Sequence, residues 1–306
     1  MKIIYMGTPD FAVNTLQTLI DSRHEVIAVF TQPDKPKGRS GQLQMPPVKE
    51  LAVKYGIPVY QPVKIREQEY VELIQGMGAD VAVVAAFGQI LPKSILDAPK
   101  YGCINVHASL LPKYRGASPI QQSILDGEKE TGVTIMKMDV GMDTGDIILQ
   151  EAFALDQTET GGELFDKLSV MGGPMVLKVL DSFEDGSVTF TKQDESRATH
   201  VKMITKENGH IDWNQSAVKI ERMVRGYNPW PAAYTYVGSK MFKIWEAKLA
   251  ETQGLGAGEF IVDDGSMVVG TGDGALRLIS VQLEGKKRMN IADFLRGYRF
   301  ETNKLG

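Results

Sequence analysis

One cysteine in 306 residues removes two chemistries at once. Cys103 has no partner for an internal disulfide, and alone it cannot build a thiolate zinc cluster. Histidine is nearly as scarce. His24, His107, His200 and His210 are scattered without the spacing of a His-Glu-x-x-His site, so no metal is expected. There is no apolar run long enough to cross a bilayer. The opening Met1–Gly7 turns polar at once and lacks a small-residue cleavage site, so it reads as a first strand. Cytoplasmic location with no membrane partner is the expectation. Phosphate-loop and nucleophile-elbow signatures are missing as well. The first turn, Gly7-Thr8-Pro9-Asp10, has one glycine and a proline where a dinucleotide-binding turn needs close backbone approach.

What is present is strand–helix alternation. Lys2–Met6, Glu25–Thr31, Asp80–Ala86 and Gly102–His107 read as strands, the third being a continuous β-favouring run of the kind buried on both faces of a parallel sheet. Phe11–Ile20, Val48–Tyr55 and Gln68–Gln75 have helical spacing between them. This pattern predicts an α/β, Rossmann-like doubly wound domain whose ligands bind beyond the carboxyl ends of the strands. Thr131–Met138 and Asp146–Phe153 add a strand pair, followed by a long helix over Gly162–Glu184. Asp185–Gly209 is polar and weakly periodic and reads as a linker. After a helix at Gln215–Arg225 come five short strands broken by Gly- and Asp-rich turns, the pattern of a small OB-like β-barrel. The expected division is a domain over 1–203 and a barrel domain over 204–306. Charge is divided too: residues 1–200 balance to −7 and residues 201–306 to +3. A basic C-terminal part suits a polyanionic partner, although plain solvated surface would give the same number.

Asn105 and His107 sit two apart at a strand end, so both side chains leave one face, roughly 7 Å apart along the backbone. An amide can donate to a developing oxyanion, and an imidazole can move protons near neutrality. Asp143, in Gly141-Met142-Asp143-Thr144-Gly145, is an acidic residue in a tight turn. Spacing alone does not join it to the other two.

The segments Asn105-x-His107-x-Ser109-Leu110-Leu111-Pro112-Lys113-Tyr114-Arg115-Gly116, Thr131-Gly132-Val133-Thr134 and Met138-Asp139-x-Gly141-x-Asp143-Thr144-Gly145-Asp146 resemble the signature of folate-dependent formyltransferases. Similarity to the branch acting on methionyl-tRNA runs from Met6–Ala12 to Thr271–Gly274. The resemblance implies a co-substrate, 10-formyltetrahydrofolate, and an acceptor, the amino group of methionine on initiator methionyl-tRNA. It implies that Asn105 bonds the formyl oxygen, His107 moves protons and Asp143 orients His107. For the folate it implies a pocket along Phe87, Gly88, Ile90 and Leu91, the turn Ser109, Leu110, Leu111 and Pro112, and the backbone of Asp139, Val140 and Gly141.

Between Thr31 and Leu43 lies a long Gly/Pro-punctuated loop carrying Lys35, Lys37 and Arg39. Loops of this length are uncommon without a function. By resemblance it is the insertion that meets the acceptor end of tRNA, with Arg39 able to bond and stack. Lys206, Lys286, Lys287 and Arg288 are the expected phosphate contacts of the barrel. A monomer is expected. Two other readings stay open at this stage: a nucleotide-sugar formyltransferase of the same plan, and a catalytically silent RNA-binding protein.

Overall fold

The computed structural model describes residues 1–37, 41–252 and 254–306, with nothing described for the side chain of Lys37. The chain divides into two compact units. The first comprises Met1–Pro119, Glu130–Phe153 and Phe165–Val201; the second comprises Ile120–Lys129, Ala154–Leu164 and Lys202–Gly306.

The first unit is built on a seven-stranded sheet. Its order is Ile147–Ala154, Glu130–Lys137, Cys103–His107, Val81–Ala85, Lys2–Gly7, Glu25–Phe30 and Val59–Tyr60. The last five run parallel, and Glu130–Lys137 lies antiparallel against Cys103–His107. Every residue of Val81–Ala85 is buried, as its unbroken apolar run requires of a central parallel strand. Strand order reverses between Lys2–Gly7 and Val81–Ala85, which in such sheets opens a ligand crevice at the carboxyl ends. The loops there are tied together: Thr8 Oγ1 and the Gln32 amide both donate to the Phe87 carbonyl, each at 3.2 Å.

The helix Gly161–Asp185 begins in a capping box. Thr160 Oγ1 accepts the Glu163 amide proton while the Glu163 carboxylate accepts that of Thr160. In the first unit, Gly172 lets this helix close on the sheet. A Cβ there would stand 2.7 Å from Val106 Cγ1 and 2.8 Å from Thr15 Oγ1.

Two expectations need correction. Lys35–Lys37 and Gln42–Gln44 form a two-stranded antiparallel ribbon where a loop was expected. Asp185–Gly209 is no free linker either. His200–Val201 pairs in parallel with Arg115–Gly116, and Thr191 bridges Ile147.

In the second unit the strands follow the order Ala233–Val237, Lys240–Ala250, Ala275–Leu283, Ser266–Gly270 and Phe260–Asp263, with Met289–Asn290 beside Ala275–Leu283. The ladder path is open among the described residues: no pairing between the first and last of these closes it. Alternating residues such as Phe242, Ile244, Leu276 and Leu278 fill a core with Ile220 and Val224 of the helix Ala217–Gly226. Ser216 caps that helix by accepting the Lys219 amide proton. Among the described residues no helix is long and apolar enough to cross a membrane.

Candidate active site

Two segments of the first unit bring His107 and Asp143 together, with Asn105 two residues before His107 on the same strand. Asn105 and His107 come from the carboxyl end of Cys103–His107, where His107 lies opposite Thr134 in register. His107 is buried, 6% exposed, and its Nε2 stands 2.9 Å from the Tyr114 carbonyl. Its Nδ1 faces Asp143 Oδ2 at 3.7 Å, too long for a hydrogen bond but close for a charge contact. Both ring nitrogens thus face oxygen atoms, one of a main-chain carbonyl and one of a carboxylate. Asp143 takes a left-handed backbone, φ +55°, and its carboxylate accepts the Gly116 amide proton at 2.8 Å. The Asn105 side chain is half-buried and has no hydrogen-bond partner among the described residues. An amide left open at a strand end can bind a ligand oxygen.

The turn after His107 is held by residues that spacing did not single out for it. Thr134 Oγ1, wholly buried, donates to the Ser109 carbonyl at 2.6 Å and accepts the Leu111 amide proton at 3.1 Å. Gln150 donates to the Leu111 carbonyl at 2.8 Å, and Ser109 Oγ to that of Lys113 at 2.6 Å. Leu111–Pro112 is a cis peptide. Arg115 is 2% exposed, its guanidinium meeting Gln193 Oε1 and the Glu195 carboxylate. Hydrogen bonding to Glu195 raises the Arg115 pKa, against the cost of burial. Gln193, Glu195 and Thr199, whose hydroxyl accepts the Tyr114 amide proton, all come from the stretch that looked like a linker.

The expected folate residues fall into two groups. Phe87 and Leu91 are buried in the hydrophobic core of the first unit, and Leu111 is buried too. Ile90 and Val140 are open, 82% and 73% exposed, with Met142 also exposed beside Asp143. Gly88 sits at φ +80°, and the Asp139 carboxylate accepts from the Gly141 amide and the Thr144 hydroxyl, fixing that turn. Cys103, beneath the site, is buried, and burial pushes its thiol up to about 12.

Of the expected RNA contacts, Lys35 is exposed on the ribbon; Arg39 lies outside the described residues, as does the Lys37 side chain. In the second unit Lys206, Lys286, Lys287 and Arg288 are exposed. The Arg288 guanidinium stands 5.2 Å from the centre of the Trp245 ring, with Lys243 Nζ at 5.6 Å, an aromatic–cationic grouping that charge counting missed.

The sequence profile described as "Formyl transferase" matches residues 1–180, and that described as "Formyl transferase, C-terminal domain" matches 203–299. This chain belongs to the formyl transferase family. Among its relatives, the methionyl-tRNA formyltransferase of Agathobacter rectalis is 52% identical, the alignment covering 100% of this chain and 99% of that protein. The methionyl-tRNA formyltransferase of Geotalea daltonii is 49% identical over 100% of this chain and 98% of its own length. Among solved structures, an N-formyltransferase from Helicobacter canadensis, in complex with folinic acid and dTDP-3-aminofucose, matches with a TM-score of 0.70. It is 19% identical, with 94% of this chain and 100% of that one covered. HypX from Aquifex aeolicus, in complex with tetrahydrofolic acid, gives a TM-score of 0.62 at 18% identity, covering 96% of this chain and 47% of that one. These structural likenesses establish the formyl transferase fold.

Proposed function

We propose that this protein transfers the formyl group of 10-formyltetrahydrofolate to the amino group of methionine esterified to initiator tRNA, in the cytoplasm. The observation that carries the acceptor is identity near one half, over the whole chain, to relatives named methionyl-tRNA formyltransferase. For the chemistry, support comes from an unpartnered amide on Asn105 beside an imidazole that faces a fixed carboxylate.

Exposed Ile90, Val140 and Met142 offer apolar surface to a flat heteroaromatic ring, and the Asp139–Gly141 backbone offers polar edges. Bound there, the folate supplies the formyl carbon. The Asn105 amide donates to the formyl oxygen as negative charge gathers on it, the step at which a fixed donor contributes most. His107 takes a proton from the attacking amine and returns one toward the departing folate nitrogen. Asp143 holds the ring in place and balances its charge. No side-chain nucleophile is required, which suits a buried, unreactive Cys103. Lys35, Lys37 and Arg39 meet the acceptor end of the tRNA, while Lys206, Lys286, Lys287 and Arg288 bind its phosphates. The protein acts as a monomer of two domains, 1–203 for transfer and 204–306 for RNA.

A folate-binding titration followed by single-turnover transfer tests the reading. Saturable folate binding and N-formylmethionine released from the product tRNA are expected. RNA binding without folate binding would leave a catalytically silent RNA-binding protein instead.

A further inference from the structure

The stretch Lys192–Val201 takes no part in the chemistry above, yet its side chains reach the Asp143 turn. Gln193 Nε2 donates to two carbonyls of that turn, Asp143 and Gly145, each at 2.7 Å. Its Oε1 accepts two guanidinium protons from Arg115, at 3.0 and 2.9 Å. The amide's orientation is settled by chemistry: a guanidinium has only donors, so oxygen must face Arg115 and the NH2 must face the carbonyls.

We propose that Gln193 is a positioning residue that sets the Asp143 carboxylate against His107. A left-handed backbone is a strained one for a non-glycine residue such as Asp143, so something must hold it. The carbonyl of Asp143 is held through Gln193 by Arg115, and its carboxylate is held by the amide of Gly116, the next residue. One short segment therefore grips both ends of Asp143. Arg115 is a firm anchor, being buried and paired through two nitrogens with Glu195. The turn has little freedom to respond otherwise. A Cβ on Gly145 would stand 1.7 Å from the Lys137 carbonyl oxygen. The inference rests on Asp143 acting through His107.

Gln193→Glu separates positioning from mere support. It keeps an acceptor for Arg115 but turns an oxygen toward two carbonyl oxygens. In otherwise wild-type protein, kcat should fall about 10- to 100-fold, with KM for folate and for tRNA nearly unchanged. In an Asp143→Ala background the same change should cost less than about twofold, because coupled residues are not additive. Urea denaturation checks that each variant folds, and Gln193→Met provides the same cycle if Gln193→Glu does not. An undiminished kcat in Gln193→Glu, or an equal loss in both backgrounds, overturns the inference alone. Full activity in Asp143→Ala overturns the underlying reading of the site and the inference with it.

Discussion

Asp143 Oδ2 lies 3.7 Å from His107 Nδ1 while accepting the Gly116 amide proton at 2.8 Å, and the other ring nitrogen, Nε2, stands 2.9 Å from the Tyr114 carbonyl. Tyr114 and Gly116 belong to one segment, so a single piece of backbone sets the imidazole and the carboxylate together. The ring cannot turn without losing one contact. Asn105, two residues before His107, shares its face and remains open to ligand.

Removing the imidazole should therefore act on turnover. His107→Ala is expected to lower kcat by about 10²–10⁴, the usual contribution of a positioned acid–base group. Asn105→Ala should cost about 10²–10³ through loss of the oxyanion donor. Folate affinity, read by titration, should change far less in both. Near-normal single-turnover transfer by His107→Ala would contradict the assignment.

Thr134 gives a stability prediction. Thr134→Val keeps the shape but leaves the Ser109 carbonyl and the Leu111 amide without this partner in a buried place. Unpaired buried polar groups cost about 1–3 kcal/mol, so the urea midpoint should drop accordingly. The Ser109–Pro112 turn should loosen, and folate should bind more weakly. An unchanged midpoint would mean that the turn does not need this hydroxyl.

How much of this was legible in sequence depends on the kind of contact. Asn105 and His107 could be placed on one face because a strand repeats every two residues, and Val81–Ala85 because burial on both faces leaves a continuous apolar run. The 185–209 stretch could not. Its contacts are main-chain bonds to Pro112–Ala117 and polar side chains meeting Arg115, which leave no periodic signal. The ribbon of Lys35–Lys37 and Gln42–Gln44 was missed for a similar reason: strands of three residues, one of them centred on Pro36, are too short to show a period. Asp143 looked like any turn residue, because its value lies in what Gly116 and Gln193 do to it across 27 and 50 residues.

The thiol of Cys103 yields a pH test. Burial raises it from an ordinary 9.0 to about 12, so the folded protein keeps it neutral where the unfolded chain ionises it. A group raised by folding contributes fully below its unfolded pKa, and that contribution is lost as pH climbs from 9.0 toward about 12. Stability should fall across this window, and Cys103→Ala should fall less steeply in denaturation curves taken at each pH. In native protein near neutrality the thiol should also resist alkylation, read by mass, until denaturant is added. Equal slopes for the two proteins, or rapid native alkylation, would contradict the burial argument.

Charge in the second unit predicts a salt effect. Binding of initiator tRNA should weaken linearly in log–log form as salt rises, because phosphate contacts release counterions. Lys286→Ala and Lys287→Ala should each reduce the slope by about 1 if each meets a phosphate. A slope unchanged by both substitutions would remove this cluster from the RNA-binding surface.

The most direct test offers both acceptors at once. Purified protein, given 10-formyltetrahydrofolate with equal amounts of initiator methionyl-tRNA and a dTDP-linked amino sugar, should formylate the methionine and leave the sugar amine unmodified, with His107→Ala inactive on both. Formylation of the sugar with the tRNA left untouched would contradict the account.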